Sequence, residues 1–258
     1  PKQLVPLAAI KVVMEGDADL LGPRKQLVRW YWSGILGELY GGAIETRFVR
    51  DLEQVPGWAT DPENSAVPNT IRDAAFVESR LHSLKTRNAA AYKGIYALIL
   101  ANNARDWMED KALDELPYRN LAVDIHHIFP KAWCKKNQIE DDRPESIVNK
   151  TAISARTNRT IGGAAPSRYL ASIEEKAQIG SAQLDGLLEQ HLIPAGTLRS
   201  DNFDAFFIER RERICLLIEG AMGKKVQRDV DEGDSIEGSD QFEAEEDDVN
   251  DEMAVDAL

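Results

Sequence analysis

The segment Asp124-Ile125-His126-His127-Ile128-Phe129-Pro130, with Asn149 and Asn158 downstream, gathers the side chains of this chain most able to do chemistry. It holds a candidate general base, candidate metal ligands and, further on, an orienting amide. An imidazole, with an unperturbed pKa of about 6.5, is the side chain best poised to take a proton from water near neutral pH. His127 is the candidate for that role. When such a water attacks a phosphodiester, negative charge gathers on the pentacovalent phosphorus and on the departing 3' oxygen. A divalent cation held by hard or borderline ligands stabilises that charge. His126, Asp124 and Asn158 are the candidate ligands.

The elements around these residues must bring them together. Adjacent residues of a strand point to opposite faces, so His126 and His127 line one surface only where the strand twists, bulges or ends. One is then expected to face a metal and the other the water. Phe129-Pro130 ends the strand, because proline lacks the donor that a continuing ladder needs. Asn149 falls just before the β-prone run Thr151-Ala152-Ile153, and Asn158 lies beyond Ser154, a candidate cap for a following helix. Strand, loop, strand and helix bring the two ends of the stretch into one place.

At these residues the chain resembles the HNH nucleases of the ββα-metal class. His127-Ile128-Phe129-Pro130, then Ser146-Ile147-Val148-Asn149-Lys150, then Asn158-Arg159 is similar to the HNH domain of CRISPR RNA-guided nucleases. Within that class the chain most resembles the C-terminal HNH domain of DUF262/GmrSD-type restriction proteins, which share segments like Asn158-Arg159-Thr160-Ile161-Gly162-Gly163 and Ala165-Pro166-Ser167-Arg168-Tyr169-Leu170. The resemblance implies His127 as general base and His126 as metal ligand. It further implies that Asn149 holds the loop and ring of the base and that Asn158 completes the metal site. The His126 position is often an acid in that class, and a neutral imidazole widens the choice of metal from magnesium toward manganese, nickel or zinc. His191, farther along in an amphipathic segment, is given no role.

The rest of the chain reads as mainly α with a small β component. Leu4 to Met14 is apolar and helical; Pro23 opens a second helix to Tyr40, with Leu27, Trp30, Tyr31, Ile35 and Leu39 at helical spacing. Trp30 and Trp32 are expected in the core rather than in a base-stacking platform. A helix is expected from Glu45 to Glu53, a loop from Pro56 to Pro68, and two more helices over Ile71 to Leu84 and Asn88 to Trp107. Ser172 to Gln190 is amphipathic, and Asp201 to Met222 carries a stripe of Phe203, Phe206, Phe207, Ile214, Leu217 and Ile218. The expected organisation is a helical linker domain over residues 1–110, an HNH nuclease domain with C-terminal helices over 111–225, and an acidic, disordered tail over 226–258. In the resembling proteins such a helical segment joins the nuclease to an upstream DUF262-type domain for nucleotide hydrolysis or sensing of modified DNA. That domain is not in this sequence, and a chain starting at Pro1 without methionine reads as a piece of a longer or processed protein.

A net charge of -13 argues against a DNA partner until its distribution is counted. Thirteen of the 44 acids lie in residues 231–258, which hold no Lys or Arg, so the body carries 31 acids against 31 bases. The tail is too polar to offset its chain entropy by burial. Cys134 and Cys215 are too few for a disulfide framework and form no CxxC knuckle. No leader and no long apolar run marks secretion or a membrane span, which gives a cytoplasmic expectation by default. The expected activity is metal-dependent cutting of DNA, with phosphates gripped by Lys131, Lys135, Lys136, Lys150, Arg156, Arg159 and Arg168. Such contacts read no sequence. RNA remains open as a substrate. The rival expectations are an inactive DNA-binding module and a helical interaction module.

Overall fold

Ile10 and Met14 lie one turn apart on α1 (Leu4–Met14) and are buried, which seats α1 against its neighbours. Leu27 and Trp30 do the same for α2 (Leu21–Leu36), and Val55 and Trp58 for α3 (Ile44–Thr60). Together with Ile71 these side chains close a small core. The computed structural model describes residues 2–42, 44–109, 111–112, 125–139 and 142–230, and within them the chain is mainly helical. Asp124 and the acidic stretch 231–258 lie outside the described residues.

Several elements depart from the expected boundaries. α3 runs on through Pro56. Proline inside a helix removes a hydrogen bond and crowds the preceding turn, yet burial of Val55 at 0% and Trp58 at 2% exposure holds the helix together past it. The expected helix from Ile71 to Leu84 is instead α4 (Asn69–Asp73) and α5 (Arg80–Ser83). Between them Val77 forms a parallel bridge with Gln227. Glu78 N–H donates to Gln227 O at 2.9 Å and Gln227 N–H to Phe76 O at 2.9 Å, so backbone pairing with a distant segment replaces the local helical bonds. α6 (Ala90–Ala101) stops before Trp107, with Asn103 in the left-handed region at φ 63°.

A two-stranded antiparallel ribbon follows, β1 (Ile125–His127) against β2 (Lys150–Ala152), paired Ile125 to Ala152, His126 to Thr151 and His127 to Lys150. The connection between the strands holds α7 (Lys131–Lys136) and two single 3₁₀ turns, Arg143–Glu145 and Ile147–Asn149. β2 leads directly into α8 (Ala155–Ile161), whose N-cap Ser154 accepts from Thr157 N–H. The amphipathic stretch expected from Ser172 to Gln190 is divided between α9 (Pro166–Ala177) and α10 (Ser181–Gln190), because Gln178 adopts a left-handed cap before Gly180. α11 (Ala195–Arg199) and α12 (Phe203–Met222) follow, and the segment after α12 carries Gln227 to its bridge with Val77.

A larger core collects Phe129, Ile147, Val148, Tyr169, Leu170, Phe203, Phe206 and Ile214 together with Leu84, Ile95 and Trp107. Residues on both sides of position 110 therefore share one apolar interior. Trp30 is fully buried and Trp32 packs against the core, as the spacing predicts. Cys134 and Cys215 are buried and form no disulfide. No helix among the described residues is long and apolar enough to cross a membrane.

Candidate active site

His127 closes β1, and its cross-strand partner is Lys150. Residues directly opposite in an antiparallel pair project to the same face. His127 and Lys150 thus share one face, and His126 and Thr151 the other.

On the first face a carboxylate from the 3₁₀ turn joins the group. Glu145 Oε2 lies 3.3 Å from His127 Nε2, Glu145 Oε1 lies 2.5 Å from Lys131 Nζ, and Glu145 Oε2 lies 3.5 Å from Lys150 Nζ. Lys150 also donates to Lys85 O at 2.8 Å and is only 7% exposed. Burial pushes the His127 pKa below its ordinary value, Glu145 opposes and Lys150 reinforces the shift. The imidazole is therefore neutral at physiological pH, the state a general base requires.

Asn149 is fully buried and ties two loops together. Its Oδ1 accepts from Phe129 N–H at 2.8 Å, and its Nδ2 donates to Phe129 O and to Pro144 O, both at 3.0 Å. Ile128 N–H donates to Asn149 O at 2.8 Å. The amide therefore holds the backbone leaving His127 and the turn preceding Glu145. The ring of His127 is held by Glu145 instead. Phe129 anchors this exit from the strand, fully buried against Trp133, Phe203 and Phe206, and Tyr169 OH donates to Ile128 O at 2.9 Å.

On the second face Thr151 meets His191, which sequence spacing left without a role. His191 Nε2 lies 2.8 Å from Arg105 O, and a carbonyl can only accept, so Nε2 carries the proton. His191 Nδ1 then accepts from the Thr151 hydroxyl at 2.8 Å. Burial pulls the His191 pKa down to about 4, against the opposing pull of the Arg105 carbonyl. The unfolded chain takes up this proton near pH 6.5 and the folded one only near pH 4, so stability is full above pH 6.5 and is lost as pH falls toward 4. The loss from this ring should reach about 3 kcal/mol. Urea unfolding at pH 7 and pH 4.5 checks it: the extra acid sensitivity should vanish in His191→Gln, and an identical pH dependence in both proteins would show that the ring carries none of it.

Asn158 stands on α8, one turn beyond the cap. Thr157 and Ile161 face the interior, while Asn158 is half-buried and, among the described residues, its side-chain amide has no hydrogen-bond partner. Asp106 fixes the start of this helix: its Oδ2 accepts from Ser154 N–H at 2.7 Å and its Oδ1 from Thr157 Oγ1 at 2.8 Å. Burial raises the Asp106 pKa, but these donors outweigh it and hold the carboxylate ionised.

Of the basic residues named from sequence, Lys131 and Lys150 converge on Glu145. Lys135, Lys136, Arg159 and Arg168 are exposed on α7, α8 and α9, and exposed Arg156 stands 3.6 Å from Glu109. His126 and Asn158 are the candidate ligands within the described residues, and Asp124 lies outside them. Among the described residues no group of three or more His, Cys, Asp or Glu side chains is placed so that it could hold a metal ion. Asn158 presents a half-buried amide on the helix that follows the ribbon, an oxygen donor of the type that hard cations take. Glu145 and Asp106 have no motif around them that sequence spacing could have marked.

No protein-family profile matches the chain, and no solved structure does. An uncharacterized protein of Methanocaldococcus jannaschii is 29% identical over 151 residues, which cover 57% of this chain and 25% of that protein. The match thus spans a quarter of that relative's length.

Proposed function

We propose that the chain is a metal-dependent HNH-type DNA endonuclease, the nicking effector of a restriction or antiviral defence protein whose upstream DUF262-type domain is a separate part. The observation that carries the reading is His127 at the end of a ribbon strand, neutral and bound to Glu145, with Asn149 securing its loop and β2 passing directly into the capped helix of Asn158. In this reading His127 accepts the proton of the attacking water. His126 and Asn158, with Asp124, hold a divalent ion, magnesium first and manganese, nickel or zinc as alternatives. Such an ion supplies Lewis-acid stabilisation of the charge on phosphorus and the 3' oxygen. Lys131, Arg156, Arg159 and Arg168 grip phosphates without reading bases, and Lys150 serves from beneath through Glu145.

Supercoiled plasmid with magnesium should pass to nicked circles before any linear form, because one base serves one scissile phosphate at a time. Its ends should carry 5'-phosphate and 3'-hydroxyl and be resealed by DNA ligase. Excess EDTA should stop the reaction. Asn158→Ala should weaken manganese binding in a direct calorimetric titration as well as slow turnover. Undiminished cutting in EDTA removes the metal from the mechanism; salt-sensitive DNA binding with no cutting in any metal leaves a binding module, and neither activity leaves a helical interaction module.

A further inference from the structure

We infer that Glu145 is a positioning residue that fixes the tautomer of His127, so that Nδ1 is the nitrogen that meets the water; this rests on His127 being the base. Glu145 Oε2 stands 3.3 Å from His127 Nε2. Burial alone would raise the Glu145 pKa, but Lys131, His127 and Lys150 outweigh it, so the carboxylate is ionised at neutral pH. An ionised carboxylate only accepts. Nε2 must therefore carry the hydrogen, and the lone pair of the neutral ring sits on Nδ1.

The carboxylate is itself held from several sides. Lys131 binds one oxygen at 2.5 Å, and Lys150 approaches the other at 3.5 Å while anchored to Lys85 O. Glu145 N–H donates to Asp142 O at 3.1 Å, closing the turn that carries it. Asn149 grips Pro144 O, the residue before Glu145, and Phe129, two residues after His127. One buried amide thus sets both partners of the dyad.

The proton balance follows from this geometry. Water gives its proton to Nδ1 as its oxygen bonds to phosphorus, the bond from phosphorus to the 3' oxygen breaks, and that oxygen leaves with the electron pair and takes a proton from solvent to become the 3'-hydroxyl. The imidazolium keeps its Nε2 hydrogen directed at Glu145, whose negative charge stabilises the cation as the buried acid of a Ser-His-Asp triad does.

The test uses the full chain, with histidine ¹⁵N spectra and steady-state nicking side by side. Wild type should show His127 protonated on Nε2 alone. Glu145→Ala should give a mixture of tautomers and a kcat lower by about 10- to 100-fold, with KM for plasmid little changed. Glu145→Gln, which keeps an accepting oxygen, should restore the single tautomer and part of the rate. A single Nε2 tautomer persisting in Glu145→Ala, or a raised KM with kcat unchanged, would overturn the inference. A wild type that cuts no DNA overturns the endonuclease reading instead, and the spectra still decide what Glu145 does to the ring.

Discussion

Nicking by His127→Ala should fall by about 10²- to 10⁴-fold, the usual contribution of a positioned general base. The ring is half-buried and, among the described residues, hydrogen-bonded through Nε2 to Glu145, whereas the packing of this corner rests on Ile128 and Phe129, both fully buried. Alanine therefore removes a proton acceptor without opening the core. The melting temperature should move little. Affinity for DNA, measured in EDTA so that no turnover intervenes, should also hold, because in the proposed reading phosphates are held by basic side chains the substitution leaves in place. Equal rates for wild type and variant at matched concentration would remove His127 from the mechanism.

Arg210→Met should destabilise the fold by about 3 to 5 kcal/mol, the loss expected when a buried charged donor is removed and its partners stay behind. Arg210 lies on α12 at 0% exposure. Its Nη1 donates to Val148 O and, at 2.9 Å, to Lys150 O, while its Nη2 donates to His191 O at 3.2 Å. Burial lowers its pKa to about 10, so it remains cationic at neutral pH. Methionine fills the volume but satisfies none of these carbonyls, and backbone acceptors cannot be exchanged for apolar groups as a side-chain partner could. In a domain of this size the melting temperature should drop by roughly 10 °C. Because Val148 and Lys150 flank Asn149, the variant should also cut more slowly at temperatures where it stays folded. A change below about 1 kcal/mol in urea unfolding would show that the carbonyls find other donors.

The sequence by itself determined the mainly helical class and the local frame of the candidate site. Leu27 and Trp30 on α2, and Phe203, Phe206 and Ile214 on α12, announce their buried faces because helical periodicity is a property of neighbours in the chain. Pro130 after His127 and Ser154 before α8 are local signals too, one ending a ladder and one capping a helix. Tertiary structure alone decided what surrounds those residues. Glu145 reaches His127 across 18 positions, Thr151 reaches His191 across 40, Asp106 reaches Thr157 across 51, and Arg210 reaches Val148 across 62. Hydrogen bonds at such separations leave no periodic trace, since each partner is chosen by the packing of elements rather than by its neighbours. The same physics carries α3 through Pro56, where burial of Val55 and Trp58 outweighs the missing bond, and divides Ile71 to Leu84, where pairing with Gln227 offers the backbone partners that a continuous helix would have supplied.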